Sequence, residues 1–92
     1  NSSLERFFDE LMQPKGSEIY FRNISDYVDI NQEIKFKTII KSALLRSETA
    51  FGFRINNERN SKSSHYGVHL NPDKSIKIKF KKNDELIVFA EE

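Results

Sequence analysis

The final strand-like segment constrains the fold more than any other feature of the sequence. Residues 86–89 read Leu-Ile-Val-Phe, and four apolar residues in succession are typical of a β-strand that is covered on both faces. Asn83-Asp84, just before this run, predicts a tight turn because Asn tolerates a left-handed backbone better than most residues. We therefore predict a strand over residues 85–90 that closes a sheet.

A second strand is predicted over residues 50–55. Phe51, Phe53 and Ile55 recur every two residues and are therefore expected to share one face of the strand. Gly52 lies between them, and a glycine inside a strand marks a place where another backbone or side chain approaches closely. This strand is expected to contribute an aromatic face to the core.

Three other segments have the composition of strands. Residues 18–24 mix aromatic and β-branched side chains, with Ile19 and Phe21 on one face. Residues 66–70 predict a short strand, and residues 76–80 alternate apolar and cationic residues with a period of two. The order in which the strands pair does not follow from these patterns.

Two segments show the spacing of an amphipathic α-helix. The first spans about residues 3–12, where Ser2 and Glu5 form a capping box. Its apolar residues are Leu4, Phe7, Phe8, Leu11 and Met12. The second spans residues 36–46, and its apolar residues are Phe36, Ile39, Ile40, Ala43 and Leu44. Each stripe must be buried, and the first helix is expected to dock on the domain or on a second copy.

Length and element order together predict the fold class. A chain of 92 residues makes one small domain that buries roughly 60–65% of the surface exposed when unfolded. The order of helix, strand, helix and then four strands predicts an α+β fold, with two helices on a small mixed or antiparallel sheet. No apolar run approaches the roughly 20 residues that span a bilayer.

The first residue and the absence of cysteine indicate the kind of protein and the compartment to which the chain belongs. The sequence starts without Met and shows no secretory signal peptide, so we expect it to be a piece of a longer protein. It contains no Cys, which excludes disulfides and thiolate metal sites and permits a reducing compartment. Exposure to the cytoplasm is the expected setting.

Residue patterns for catalysis and for common cofactors do not emerge from the sequence. No pattern of serine, histidine and carboxylate indicates a nucleophile with its base, and the three glycines form no G-x-G-x-x-G or P-loop motif. His65 and His69 have a spacing that binds zinc on a helix. On the predicted strand they would lie about 13 Å apart. We therefore predict a non-enzymatic domain with no catalytic residue, metal or cofactor.

Four lysines near the predicted strand 76–80 form a cationic stripe. They are Lys77, Lys79, Lys81 and Lys82. Such a stripe can track nucleic acid or an anionic lipid surface, but it is also the usual solvent face of a half-buried strand. Phe80 is expected to point inward, where it is unavailable for base stacking. The formal net charge of +1 also gives no sign of a polyanion partner, so we favour the solvent-face interpretation.

Arg54 is the other basic residue of interest. It is expected to project from the face opposite Phe51, Phe53 and Ile55, where it would either bind an anion or solvate the strand. The segment that follows, residues 56–64, contains no apolar residue. We predict a solvated and mobile loop there.

Several segments, taken in order, resemble a known family. They are residues 16–20 (GSEIY), residues 36–54 ending in AFGFR, residues 67–73 (GVHLNPD) and residues 84–91 (DELIVFAE). Their order and spacing resemble the region after the nucleotide-fold lobe of CASTOR/POLLUX-type cation channels. The pattern is also similar to the C-terminal lobe of regulators of potassium conductance (the RCK C-lobe) and of TrkA-type uptake proteins. Asn83 stands where related lobes commonly have Gly.

The resemblance implies a regulatory domain of a potassium or other cation channel or transporter. Residues 16–92 would form an RCK C-lobe (TrkA-C)-like domain, preceded by an amphipathic helix and connector over residues 1–15. The lobe would lie at the cytoplasmic face of a membrane protein and reach the membrane only through a pore segment elsewhere in the parent protein. Nucleic acid is not expected as a partner.

The resemblance also implies how such a lobe works and which residues take part. It would pair with itself, as a homodimer or a higher ring assembly, and change its arrangement when a small ligand or ion binds. We assign Arg54 and Asn71 to ligand binding. The apolar stripe of the first helix, with Phe7, Phe8 and Leu11, is assigned to the dimer interface.

Overall fold

The structure is a small α+β domain built on antiparallel sheets. The computed structural model describes residues 17–91, so the predicted first helix, with its assigned interface residues Phe7, Phe8 and Leu11, lies outside the described residues. The β-strands are β1 (Ser17–Asn23), β2 (Ile34–Lys35), β3 (Thr49–Arg54), β4 (Val68–Leu70), β5 (Lys77–Ile78) and β6 (Glu85–Glu91). The α-helix of this part of the chain is α1 (Phe36–Leu44), and 3₁₀ turns cover Ile24–Asp26, Asn56–Glu58 and Lys62–Gly67.

The main sheet has four strands in the order β1-β6-β3-β4, all antiparallel to their neighbours. Strand β6 is therefore central, with Phe89 opposite Ile19 on one side and Val88 opposite Ala50 on the other. The two short strands β2 and β5 pair separately. The predicted strand 85–90 is confirmed, and its run of apolar residues reflects its central place.

Helix α1 packs on one face of the main sheet, which we call the covered face. Phe53 of β3 lies there with ring centroids 6.0 Å from Phe36 and 5.4 Å from Phe80. Leu86 and Val88 of β6 belong to the same buried cluster. The further buried members of this cluster are Ile24, Tyr27, Ile39, Ala43 and Ala50. The apolar side of α1 thus covers the alternate residues of β3 and β6 that point to this face.

The other side of the main sheet, which we call the open face, carries alternate residues of the same strands. Ile19 and Phe21 of β1 lie opposite Phe89 and Ile87 of β6, as their predicted shared face requires. Phe51 stacks on Phe89 with ring centroids 4.6 Å apart. The open face is therefore aromatic and aliphatic, although α1 packs on the opposite side.

A register irregularity in β3 corrects one prediction. Phe51, Phe53 and Ile55 were expected to share a face, but the register between β3 and β6 shifts between Ala50 and Gly52. This β-bulge inserts an extra residue into β3. As a result Phe51 stacks on the open face, while Phe53 and Ile55 pack with the core.

Close approach at Gly52 is confirmed. A Cβ atom at Gly52 would lie 2.6 Å from the carbonyl oxygen of His69 and 3.0 Å from Cδ2 of Leu70. Real Cβ atoms do not approach a backbone oxygen that closely. Strand β4 therefore reaches its pairing distance from β3 only because residue 52 has no side chain.

The connections differ from prediction in three places. The predicted loop 56–64 contains two 3₁₀ turns. The predicted strand 66–70 is shorter, because His65, Tyr66 and Gly67 take positive φ angles of 52°, 58° and 79° and only Val68–Leu70 is extended. The predicted strand 76–80 is reduced to Lys77–Ile78. His65 thus lies in a turn and not on a strand with His69.

Candidate functional site

Side chains from three strands and two connections meet at one end of the main sheet. They line a polar cleft of about 300 Å³. Its lining residues are Asn23, Arg54, Asn56, Arg59, Asn83 and Glu85. Asn23 and Arg54 both lie opposite Glu85 in the strand register. The antiparallel pairing therefore brings together residues that are far apart in sequence.

Arg54 is held in place by two neighbours, Glu85 and Phe21. Its Nε donates a hydrogen bond of 2.8 Å to Oε1 of Glu85, and its Nη2 also donates to that oxygen. The guanidinium carbon lies 4.6 Å from the ring centroid of Phe21, within the range of a cation–π contact. Arg54 projects from the face opposite Phe53 and Ile55, as predicted. The same prediction is wrong for Phe51, which shares the open face with Arg54. The guanidinium is thus partly buried and oriented before any ligand binds.

A buried carboxylate next to the cleft fixes the backbone of the segments that line it. Asp84 is buried, and its two carboxylate oxygens accept hydrogen bonds of 2.8 Å from the backbone N–H groups of Asn56 and Lys81. Its backbone carbonyl accepts a hydrogen bond of 3.0 Å from the N–H of Ile24. One residue therefore connects the ends of β1 and β3 to the turn before β6.

The second arginine of the cleft comes from the connection after β3. Arg59 follows the 3₁₀ turn Asn56–Glu58, and its Nη1 donates a hydrogen bond of 3.2 Å to Oδ1 of Asn56. Because Asn56 is fixed by Asp84, this connection is tied to the sheet at its start. The cleft thus contains two guanidinium groups and one carboxylate.

This arrangement suits a small anion. A guanidinium presents several N–H donors in a plane that matches carboxylate and phosphate oxygens, and three carboxamide side chains offer further donors. The carboxylate of Glu85 already accepts hydrogen bonds from the Arg54 guanidinium. An anionic ligand would therefore bind the remaining N–H donors of Arg54 or replace Glu85 as the partner of Arg54. The attraction between opposite charges is stronger at a partly buried site than on an open surface, because the effective dielectric constant is lower there.

The structure separates the two residues that were assigned to ligand binding. Arg54 lies opposite Val68 of β4, whereas Asn71 follows Leu70 at the other end of that strand, roughly 10 Å along it. Asn71 takes a positive φ of 50°, and its N–H donates a 2.7 Å hydrogen bond to the carbonyl of Phe51. Asn71 therefore turns the chain and does not line the cleft.

The cationic stripe and the histidine pair have simpler surroundings. The four lysines of the stripe are exposed, and Phe80 between them is buried in the core, as expected. His69 stacks on Phe53 with ring centroids 4.8 Å apart, and its Nε2 lies 3.4 Å from Oε1 of Glu58. The four lysines therefore form a solvent-exposed surface, and His69 belongs to the edge strand β4 of the main sheet.

Buried polar groups occur in one more place on the covered face. Tyr27 donates a hydrogen bond from its hydroxyl to Oε1 of buried Glu48. Arg22 Nη2 lies 3.8 Å from Oε2 of Glu48. Burial, followed by the contact with Glu48, raises the pKa of Tyr27 to about 12. This network closes the core between the helix and β1.

The described residues form neither a metal site nor a membrane-spanning helix. Within residues 17–91, no group of three or more His, Cys, Asp or Glu side chains is placed to hold a metal ion. In the same part of the chain, no helix is long and apolar enough to cross a membrane. No family model and no curated protein matches the chain.

Most residues of the cleft were missed by the sequence analysis. The missed residues are spread over more than 60 positions, and each one alone is typical of an exposed surface. They are Asn23, Asn56, Arg59, Asn83 and Glu85. Only the pairing of β6 with both β1 and β3 brings them together. The available signal was the tight turn at Asn83-Asp84, which places polar residues at the start of the central strand.

Proposed function

We propose that this chain is a non-catalytic regulatory lobe of a cation channel or transporter, and that it responds to a small anionic ligand in the polar cleft. The observation that carries the proposal is the convergence of Arg54, Arg59 and three carboxamide side chains at one end of the main sheet. The ordered motifs that resemble the RCK C-lobe supply the class of parent protein.

The contacts of Arg54 supply a route from ligand to fold. An anion that replaces Glu85 at the guanidinium would free a carboxylate at the first residue of the central strand β6. The ligand shifts an equilibrium between two arrangements only by its difference in affinity for them. A partner copy that contacts β6 or its neighbours is therefore the element through which such a lobe acts on a pore.

The proposal places the lobe at the cytoplasmic face of a membrane protein and lets it pair with copies of itself. Its ligand would be a carboxylate or phosphate compound small enough for a cleft of about 300 Å³. Catalysis is not part of the proposal, because the groups that converge in the cleft are guanidinium, carboxamide and one paired carboxylate. These groups bind and orient anions.

Titration of the chain with inorganic phosphate tests the cleft. At constant ionic strength, the backbone amide signals of Asn56 and Glu85 should shift in a saturable way in nuclear magnetic resonance spectra. Arg54→Gln and Arg59→Gln should each weaken binding by about tenfold or more, since a hydrogen bond to a charged group contributes roughly 1.5–3 kcal/mol. Lys79→Gln is the matched control, and its affinity should stay within about twofold of the original.

Two results would contradict the proposal. Shifts confined to the cationic stripe, and lost in Lys79→Gln, would favour the alternative of a module that binds nucleic acid or anionic lipid. The reading frame that encodes the chain tests the parent class, because it should contain a pore helix pair and a Rossmann-like lobe upstream. A frame without them would overturn the channel assignment but leave the anion cleft standing.

A further inference from the structure

Another cavity lies at the end of the main sheet opposite the polar cleft. Its volume is about 290 Å³. The residues around it come from the connection between α1 and β3 and from the last residues of β6. They include Arg46, Ser47, Glu48, Thr49, Phe89 and Glu91. Since β6 begins at Glu85 and ends at Glu91, the cavity and the polar cleft lie at opposite ends of the central strand.

Glu48 is the buried acid of this cavity. Its side chain is only 9% exposed, and its Oε1 accepts a hydrogen bond from the hydroxyl of Tyr27. Among the described residues no hydrogen bond reaches Oε2, which the guanidinium of Arg22 approaches only to 3.8 Å. Buried carboxylate oxygens are normally hydrogen-bonded. One oxygen of Glu48 therefore lacks the donor that its burial requires.

Asp84 shows how this chain satisfies a buried carboxylate that has a structural role alone. Both of its oxygens accept hydrogen bonds from backbone N–H groups. Glu48 differs from Asp84 because it has a single such bond and lines a cavity. A water molecule takes up about 30 Å³, so the cavity has room for a ligand of several heavy atoms that donates to Glu48.

Arg46 supplies a positive charge to the same cavity. Its guanidinium carbon lies 4.5 Å from the ring centroid of Tyr27, and its Nη1 donates a hydrogen bond of 3.2 Å to the carbonyl of Asp26. These contacts orient the guanidinium and use only one of its N–H donors. The other donors are available to a carboxylate, which a guanidinium binds in its own plane.

The turn at Ser47 brings the two charged groups together. Ser47 takes a positive φ of 60°, and its N–H donates a hydrogen bond of 2.9 Å to the carbonyl of Leu44 as the helix ends. The residues on either side of this turn both contact Tyr27, with Arg46 over its ring and Glu48 at its hydroxyl. Opposite charges therefore line one cavity, and neither is the hydrogen-bond partner of the other.

From this geometry we infer that the cavity binds a small zwitterion, a molecule with one ammonium group and one carboxylate, of which an α-amino acid is the simplest example. The ammonium donates to Oε2 of Glu48, and the carboxylate accepts from the guanidinium of Arg46. The ring of Phe89 offers an apolar wall to the rest of the ligand. The cavity shares no lining residue with the polar cleft, so this inference goes beyond the proposed function and does not depend on it.

Titration with three compounds of similar size tests the charge pattern. L-Alanine carries both charged groups, ethylammonium lacks the carboxylate, and propionate lacks the ammonium. In nuclear magnetic resonance spectra at constant pH and ionic strength, L-alanine should shift the backbone amide signals of Ser47, Glu48 and Ala90 in a saturable way. Ethylammonium and propionate should each bind about tenfold or more weakly, because each loses a hydrogen bond to a charged group. Equal affinities for the three compounds, or no saturable shift with L-alanine, would overturn the inference.

Variants of the two charged residues assign the groups of the ligand. Arg46 is exposed, so Arg46→Gln should stay folded and lose the preference for L-alanine over ethylammonium. Glu48→Gln should lose the preference for L-alanine over propionate. Lys41→Gln is the matched control, because it removes a positive charge from the exposed side of the last turn of α1, and its affinity should stay within about twofold. If circular dichroism shows Glu48→Gln unfolded through loss of the Tyr27 contact, Arg46→Gln decides.

The outcomes separate this inference from the proposed function. Shifts by L-alanine at Asn56 and Glu85 but not at Ser47 would place its carboxylate in the polar cleft, which supports the anion cleft and overturns the zwitterion site. Shifts by L-alanine at Ser47, without any effect of inorganic phosphate at Asn56 and Glu85, would do the reverse. Affinity for L-alanine that is unchanged in Arg46→Gln would contradict the zwitterion site whatever the cleft binds.

Discussion

The covered face and the open face of the main sheet are made from alternate residues of the same strands, and both are rich in apolar side chains. Phe53 and Leu86 on the covered face are buried under α1, whereas Ile19 and Phe21 on the open face remain partly exposed. The central strand is apolar on both faces. The difference shows that an apolar run identifies a central strand without saying whether this chain alone covers both of its faces.

Replacing one phenylalanine on each face should give the largest difference in stability between the two faces. Phe53→Ala should lower the free energy of unfolding by about 3–5 kcal/mol, because it leaves a cavity between Phe36 and Phe80. Phe21→Ala, on the open face, should cost the monomer about 1 kcal/mol or less. Urea unfolding followed by circular dichroism at low protein concentration measures both. Equal losses would mean that the two faces are equally buried.

Gly52→Ala gives the next largest effect and locates the attachment of β4. The new methyl group would meet the carbonyl of His69 at 2.6 Å, so β4 must move away from β3. We expect a loss of roughly 2 kcal/mol and faster amide hydrogen exchange in β4, with β1 and β6 little changed. Uniformly faster exchange across the sheet would contradict this local effect.

Tyr27→Phe should have a smaller effect than Phe53→Ala or Gly52→Ala, and it concerns the covered face alone. Loss of the hydroxyl removes one partner of buried Glu48, which should cost about 1–2 kcal/mol near neutral pH. In the folded chain the pKa of Tyr27 is raised from 10.0 to about 12, so the fold favours the protonated form. The stability that this shift contributes is complete below about pH 10 and disappears as pH rises to about 12.

The measurement for Tyr27 compares both proteins across that range. The difference in free energy of unfolding between the original chain and Tyr27→Phe should be constant from pH 7 to about pH 9.5 and shrink above it. The lysines and other tyrosines titrate in both proteins, so the difference isolates Tyr27. A difference that does not change up to pH 12 would show that the Tyr27 hydroxyl is accessible to water.

The long periodic segments of the fold were predictable from sequence. The strands at residues 17–23, 49–54 and 85–91 and the helix at residues 36–44 lie where the patterns predicted, to within about two residues. Each has enough residues to establish a period of two or of 3.6. The two-residue strands β2 and β5 are too short to establish a period.

The candidate site was predictable only in part, because its residues depend on pairing and on the bulge. Arg54 was assigned correctly to the face opposite Phe53 but wrongly to the face opposite Phe51, and its partner Glu85 follows only from strand register. The β-bulge moved Phe51 to the open face. Gly52 beside it is a residue type that often marks a bulge, but it was interpreted only as a place of close approach. Burial of Glu48 and Asp84 was missed for a similar reason, since carboxylates are usually exposed and their hydrogen-bond partners come from distant segments.

The central place of β6 has a consequence for how the domain folds. Strand β1 pairs with β6, which follows it by more than 60 residues. Strand β3 pairs with β6 as well. Contacts of such long sequence separation slow folding, because the entropy of closing the chain is lost before they form. On the ribosome the sheet remains open along both β1 and β3 until residue 91 has emerged. During that interval the exposed strand edges are a target for a chaperone.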